Sequence, residues 1–193
     1  MTEGGMVFLV VGPSGAGKDT VIDHVRKHRP DLAIAQRVIT RAADAGGEEH
    51  ESVDHATFEA MEAAGTFALT WRANGRAYGV RSEELAPLAE GRDVLISTSR
   101  TILDTVRQRF PRRLILYVTA PVELLTARLA LRGRETAFEI EERLRRAELA
   151  TPTGEDVAVI DNSGAVEAAV EDFLAALDHA RNSAALTPST DSV

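Results

Sequence analysis

The stretch Gly12-Pro13-Ser14-Gly15-Ala16-Gly17-Lys18-Asp19-Thr20 constrains this chain more than any other. It follows an apolar run, Met6-Val7-Phe8-Leu9-Val10-Val11, and leads into a helix-like pattern at Val21, Ile22 and Val25. Glycines at the first and sixth positions let a backbone fold around an anion with its N–H groups pointing inward, and the next helix adds the positive end of its dipole. The segment therefore reads as a phosphate-binding loop between a strand and a helix, with Lys18 reaching the outer phosphates of a nucleotide. One position departs from the usual pattern. Where a Ser or Thr normally follows the lysine and places its hydroxyl on magnesium, this chain has Asp19, and the hydroxyl comes one place later at Thr20. Magnesium takes oxygen ligands and keeps much of its water shell, so Asp19 and Thr20 are the expected residues on the metal side.

A loop of this kind needs a sheet to hold it, and the chain offers one. Strand-like segments recur at Ile34 to Ile39, Asp93 to Ser97, Leu114 to Thr119 and Val157 to Ile160. Helix-like segments fall between them: Thr101 to Phe110, a helix opened by Pro121, and a last one carrying Val166, Val170, Phe173, Leu174 and Leu177. Alternation of this kind predicts an α/β three-layer sandwich, with a five-stranded parallel sheet covered on both faces and ligands at the carboxyl ends of its strands. An insertion interrupts it. The polar stretch Ala42 to Ser52 reads as a loop, Asp54 caps a short helix to Ala63, and Thr66 to Trp71 and Arg76 to Val80 flank Asn74-Gly75, a dipeptide suited to a two-residue hairpin turn. A small antiparallel flap is predicted there, followed by a helix over Ser82 to Glu90. Residues 137–150 read as a charged helix, with Glu139 and Arg143 four residues apart. The small polar stretch from Asn182 to Val193 is expected to be disordered. The turn Asn162-Ser163-Gly164 is expected to border the nucleotide base.

Composition sets limits on partners. The 193 residues, 44% hydrophobic, fit a single domain, read as 1–181 plus the tail 182–193. There is no cysteine, so disulfides and thiol chemistry are excluded. The opening residues lack a basic region, and the apolar run after them is too short for a signal peptide or membrane span, which suggests a cytoplasmic protein. A net charge of −8 argues against nucleic-acid binding. That average hides an arginine-rich reach from Arg100 to Arg146. His24, His28, His55 and His179 show no metal-ligand spacing.

The motifs Gly12 to Lys18, Ile39-Thr40-Arg41, Asn74-Gly75-Arg76-Ala77-Tyr78-Gly79, and Arg128-Leu129 with Arg132-Gly133-Arg134-Glu135 resemble guanylate kinase in order and spacing, across almost the whole chain. The groups by which guanylate kinases read guanine are missing: Leu69 stands for a Glu, Val80 for a Ser or Thr, Ser97-Thr98-Ser99-Arg100 for an Asp, and Asp44 for a second arginine. A nearer resemblance is to the ribose 1,5-bisphosphate phosphokinases. It rests on the Gly-Lys-Asp-Thr loop ending, Glu48-Glu49-His50, Trp71-Arg72-Ala73-Asn74-Gly75, Tyr78-Gly79-Val80 and Ser99-Arg100.

That resemblance implies an ATP-dependent enzyme with Mg²⁺ that converts ribose 1,5-bisphosphate to 5-phosphoribosyl 1-diphosphate in phosphonate breakdown. It implies an acceptor flap at about 40–80 and an arginine-bearing lid at about 132–146. Lys18 and the loop from Gly12 through Pro13, Ser14, Gly15, Ala16 and Gly17 to Thr20 would hold ATP. Arg41 and Tyr78 would bind an acceptor phosphate, Arg100 a sugar phosphate, and Glu49, His50 and Ser97 complete the substrate set. Arg132, Arg134 and Arg143 are the candidate catalytic cations. The expected partners are ATP and a small phosphorylated sugar, with no nucleic acid and no membrane, in a monomer or homodimer. Two alternatives remain at this point, a guanylate or other nucleoside monophosphate kinase and a non-catalytic interaction module.

Overall fold

The run Val7–Val11 is apolar at every position, and a strand of that kind has to be covered on both faces. The computed structural model describes residues 4–41, 50–73, 75–132 and 151–186, and in it this run is β1, the middle of a five-stranded sheet. Its neighbours are β7 (Val94–Ser97) and β8 (Arg113–Thr119), with β2 (Ala33–Ile34) and β9 (Val157–Asp161) at the edges. Every pairing in this sheet is parallel. The predicted five-stranded parallel core is therefore what forms.

Alternation along the strands makes the three layers. Phe8 and Val10 belong to one buried cluster, with Leu95, Leu116 and Val118. Against them pack Val21, Ile22 and Val25 of α1 (Lys18–His28), Leu125 and Leu129 of α5 (Val122–Arg132), and Phe173 and Leu177 of α6 (Val166–Leu186). Val7, Leu9 and Val11 point the other way, into a second cluster with Ile96, Ile115 and Tyr117. Leu103 and Val106 of α4 (Leu103–Arg109) cover that face. Each fully buried Leu, Ile or Phe contributes roughly 1.5–3 kcal/mol, so the two clusters account for most of the stability of the core. Among the described residues no helix is long and apolar enough to cross a membrane.

The second sheet departs from the sequence expectation in two ways. The run Ile34 to Ile39 is not one strand: Ala33–Ile34 pairs with β7 in the core, whereas Arg37–Ile39, β3, pairs antiparallel with β6 (Arg76–Arg81). Between them Ala35 still bonds to the Leu95 carbonyl, and the Gln36 N–H is taken by the Glu84 carboxylate. The stretch Ala42 to Ser52 is not wholly loop either. His50–Ser52 forms β4, parallel to β3. With β5 (Phe67–Ala73) the flap is a four-stranded sheet in the order β4-β3-β6-β5. The hairpin closes with Ala73 paired to Arg76, around the two positions the sequence named for its turn.

On the outer face of the flap lies α2 (His55–Ala63), capped as predicted by Asp54, whose carboxylate accepts from the Thr57 amide at 2.7 Å. Phe58 fixes it there, stacked on Phe67 at 4.8 Å and packed with Val38 and Ala77. The segment after the flap begins as a 3₁₀ turn, Ser82–Leu85, before α3 (Ala86–Ala89). Helix α6 runs to Leu186, past Asn182 where the sequence reading placed the start of a tail. Glu49, Asn74, Arg134, Arg143 and the charged helix read over 137–150 lie outside the described residues. Of Arg132 only the backbone is described, as the last residue of α5.

Candidate active site

The carboxyl ends of β1 and β7 and the inner face of the flap enclose a cleft of about 750 Å³. Its floor is the phosphate loop. Gly17 sits in the left-handed region at φ 85 as the cap of α1, and a Cβ there would lie 2.4 Å from Asn162 Nδ2. At the other end of the loop a Cβ on Gly12 would meet the Val118 carbonyl at 2.0 Å. Only glycine fits either place. Lys18 Nζ lies over the loop and donates to the carbonyls of Gly12 and Pro13, each at 3.0 Å. Asp19 is half-buried on the cleft wall. Thr20 is exposed and does not line the cleft.

The flap contributes through strand alternation. Arg37, Ile39 and Arg41 are two residues apart and all three line the cleft. Directly across from Ile39 is Tyr78, and across from Tyr78 is Trp71, whose ring stacks on it at 5.3 Å with planes 3° apart. Trp71 is buried, and its edge of the flap also lines the cleft. The Arg37 guanidinium lies over the Tyr78 ring, 5.8 Å from its centre. Thr40 closes the end of the strand: its hydroxyl accepts from the Ala77 amide at 2.9 Å, and its own N–H donates to the Ala77 carbonyl.

At the end of β7 the cleft is walled by Ser97, Thr98, Ser99 and Arg100, where the 3₁₀ turn Arg100–Ile102 begins with Ser99 as its cap. The cleft thus gathers the loop, Arg41, Tyr78, Ser97 and Arg100, as the sequence anticipated. It does not gather His50, which lies on β4 in register with Arg37 and away from the wall. Six basic residues line the cleft, Lys18, Arg37, Arg41, Arg72, Arg100 and Arg107, against the two acidic residues Asp19 and Asp104. In a protein of net charge −8 that is a local reversal of sign. The Arg72 side chain turns to the outer face of the flap, pairing with Glu62 of α2 at 2.6 Å and lying over Phe58, and Arg107 pairs with Asp156 at 3.0 Å.

The family model for guanylate kinase matches residues 5–180. The chain belongs to the guanylate kinase family. Among curated relatives it is 44% identical to "Ribose 1,5-bisphosphate phosphokinase PhnN" of Rhizobium etli, over 91% of each chain. The protein of the same name from Ruegeria is 46% identical, over 86% of this chain and 88% of that one. Among solved structures it is similar to a guanylate kinase from Anaplasma phagocytophilum, with TM-score 0.68 and 22% identity, covering 92% of this chain and 86% of the other. A gluconokinase from Sinorhizobium meliloti gives TM-score 0.57 at 18% identity, covering 97% of this chain and all of that one.

In this member of the guanylate kinase family the phosphate loop has a support that sequence reasoning missed. Asn162, buried at the end of β9, donates from Nδ2 to the Ala16 carbonyl at 2.7 Å. Arg128 of α5 donates to the Asn162 carbonyl at 2.9 Å. From the turn expected to border the base, Asn162 thus reaches beneath the loop and props it. Arg37, Arg72 and Arg107 were also missed. For Arg37 the signal was present: two residues before Ile39 and four before Arg41, it shares their face once the segment is read as a flap strand. Arg107 donates to the Thr153 carbonyl at 2.7 Å, and with Arg113 it holds Asp156, whose carboxyl lies below the ordinary aspartate range chiefly through the Arg107 hydrogen bond. Thr98 is buried, and its hydroxyl has no hydrogen-bond partner among the described residues.

Proposed function

We propose that the protein phosphorylates ribose 1,5-bisphosphate with ATP, forming 5-phosphoribosyl 1-diphosphate and ADP, in the cytoplasm and as part of phosphonate breakdown. The observation that carries this reading is the charge of the cleft: Lys18, Arg37, Arg41, Arg100 and Arg107 line it where a phosphate loop faces the flap. A base-reading site needs buried polar groups, and losing them costs orders of magnitude in discrimination. Leu69 and Val80, at the flap positions in question, are buried and apolar. The 38–46% identity to relatives bearing the phosphokinase name supports the same substrate.

The chemistry suits a cleft of cations. An oxygen of the acceptor's 1-phosphate attacks the γ-phosphorus of ATP, the new P–O bond forms, the bond to the β–γ bridging oxygen breaks, and its electron pair leaves with ADP. The attacking phosphate, with a second pKa of about 6, is already anionic at neutral pH, so no general base is needed. The barrier is repulsion between two polyanions and charge spread over the moving phosphoryl group, so positioning and cations do the catalysis. Lys18 and the loop amides would hold the β- and γ-phosphates, Arg41 and Tyr78 the attacking phosphate, and Arg100 a phosphate of the sugar. Arg132, Arg134 and Arg143 would supply further positive charge.

The loop fits a nucleotide: Gly15 and Gly17 take the left-handed turns of a phosphate loop, Lys18 lies over it, and a Cβ at Gly17 would strike Asn162, which props the loop from below. It also fits magnesium, which takes one or two carboxylates, phosphate oxygens and water. Asp19, on the wall beside Lys18, would hold it; Thr20 would face it only by turning inward. Magnesium when bound supplies charge neutralisation on the β- and γ-phosphates.

The test is a side-by-side assay with ATP and magnesium, offering ribose 1,5-bisphosphate, GMP and AMP. The expected result is consumption of the sugar bisphosphate alone, lost in Lys18→Ala by about 10³-fold or more. Preference for GMP would overturn the reading, and ATP binding without any acceptor turnover would point to an interaction module.

A further inference from the structure

Strand alternation gives the inner face of the flap two cations, and the sequence reading used only one. Arg37 and Arg41 flank Ile39 on the cleft wall, with roughly 7 Å of strand for each two-residue step. A ligand lying along this face meets a guanidinium at each end. Arg37 is set differently from Arg41. Its row across the sheet is His50 of β4 on one side, and Val80 of β6 and then Leu69 of β5, both buried and apolar, on the other. Its guanidinium lies over the Tyr78 ring, which is itself stacked on Trp71. A cation held against an aromatic face within about 6 Å is stabilised and restricted in its rotamers, and an apolar surround strengthens its pull on an anion.

We infer that Arg37 binds the phosphate of the acceptor that does not react, and so makes the enzyme specific for a doubly phosphorylated sugar. This rests on the proposed function and refines it. Arg41 takes the attacking 1-phosphate and Arg37 takes the 5-phosphate. Arg100, on the facing wall at the end of β7, closes on the same 5-phosphate from the other side. Toward β6 and β5 the row that carries Arg37 is apolar, and of that row it is Arg37 that lines the cleft, whereas His50 on β4 does not. An arginine is suited to this: it forks onto two phosphate oxygens, and its charge does not titrate.

The experiment compares ribose 1,5-bisphosphate with ribose 1-phosphate as acceptors in wild type, Arg37→Gln, Arg37→Lys and Arg41→Gln, each checked for an unchanged melting temperature and an unchanged KM for ATP. A charge-assisted hydrogen bond to phosphate corresponds to about ten- to hundredfold in KM. In Arg37→Gln the KM for ribose 1,5-bisphosphate is expected to rise by that factor while the KM for ribose 1-phosphate stays put, so the preference for the bisphosphate collapses. Arg37→Lys keeps part of it. Arg41→Gln weakens both acceptors together. If Arg37→Gln shifts both acceptors equally, or neither, Arg37 does not read the 5-phosphate and the inference fails while the proposed function stands. A wild type that turns over GMP and neither sugar phosphate removes the proposed function and the inference with it.

Discussion

The side-chain amide of Asn162 donates to the backbone carbonyl of Ala16 at 2.7 Å, across 146 positions of sequence. The carbonyl would otherwise be buried and unpaired beneath the phosphate loop, because Ala16 is fully buried. Asn162→Ala is expected to cost about 1–3 kcal/mol, the penalty of an orphaned buried acceptor. In a protein of this size that lowers Tm by roughly 2–4 °C per kcal/mol. The KM for ATP should rise and that for the acceptor should not. Thermal melting and steady-state kinetics together check this; an unchanged KM for ATP would mean that the prop holds the fold and not the loop.

Asp19 and Thr20 separate two ways of serving a metal. Asp19 faces the cleft and Thr20 faces solvent. Asp19→Asn is expected to raise the magnesium concentration for half-maximal activity about tenfold, the loss of one charged ligand contact. Thr20→Ala should leave it unchanged. A titration of activity against free magnesium decides between them, and the reverse ranking would show that the helix start rearranges when ATP binds.

Thr98 carries a different kind of prediction. A buried hydroxyl without a partner costs about 1–3 kcal/mol relative to a satisfied one. Replacing it with the isosteric valine is therefore expected to stabilise the nucleotide-free protein, by about 1 kcal/mol and a few degrees in Tm. A fall in Tm for Thr98→Val would be evidence that ordered water bridges the hydroxyl to the cleft.

Asp156 gives a pH dependence. Its carboxylate accepts from Arg107 and Arg113 at 2.8–3.0 Å, and its side chain is 18% exposed. These hydrogen bonds, Arg107 first, depress its pKa in the folded protein. The stabilisation is fully present above the ordinary aspartate value of about 3.9 and is lost as pH falls through the lower folded value. Asp156→Asn should accordingly destabilise the protein by about 1–3 kcal/mol at pH 7. Denaturant melts of the two proteins should converge as pH drops below the aspartate range; a difference that persists there would assign the effect to packing.

The parts of the molecule that could be read from the sequence are those with a local signature. β1, β7, β8 and β9 announce themselves as short apolar runs, and the phosphate loop, Arg41, Tyr78 and Arg100 sit at the ends of such runs. The break between β2 and β3 had no such mark. Ala35 and Gln36 carry neither glycine nor proline, and the change of sheet is imposed by what each half pairs with, β7 on one side and β6 on the other. β4 was hidden for a related reason. His50-Glu51-Ser52 is polar and becomes a strand because β3 lies beside it and Arg81 grips Glu51 with bonds of 2.6 and 2.8 Å. Reading Ile34 to Ile39 as a core strand also removed Arg37 from view. Asn162 and Arg128 were out of reach in principle, since what they touch is brought near only by the closed sheet.

The flap sheet, from Arg37 to Arg81, is drawn from one stretch of chain between the departure of β2 from the core and the return at β7. Nothing in the ATP-binding floor is interleaved with it. On the proposed function, the share of acceptor choice given to Arg37, Arg41 and Tyr78 lies in this one stretch, while Arg100 meets it from the end of β7. The insert is nevertheless seated on the core: Leu69, Trp71 and Val80 pack in one buried cluster with Val7, Leu9 and Val11 of β1, so a change on that face of the flap is felt by the strand that leads into the loop and Lys18.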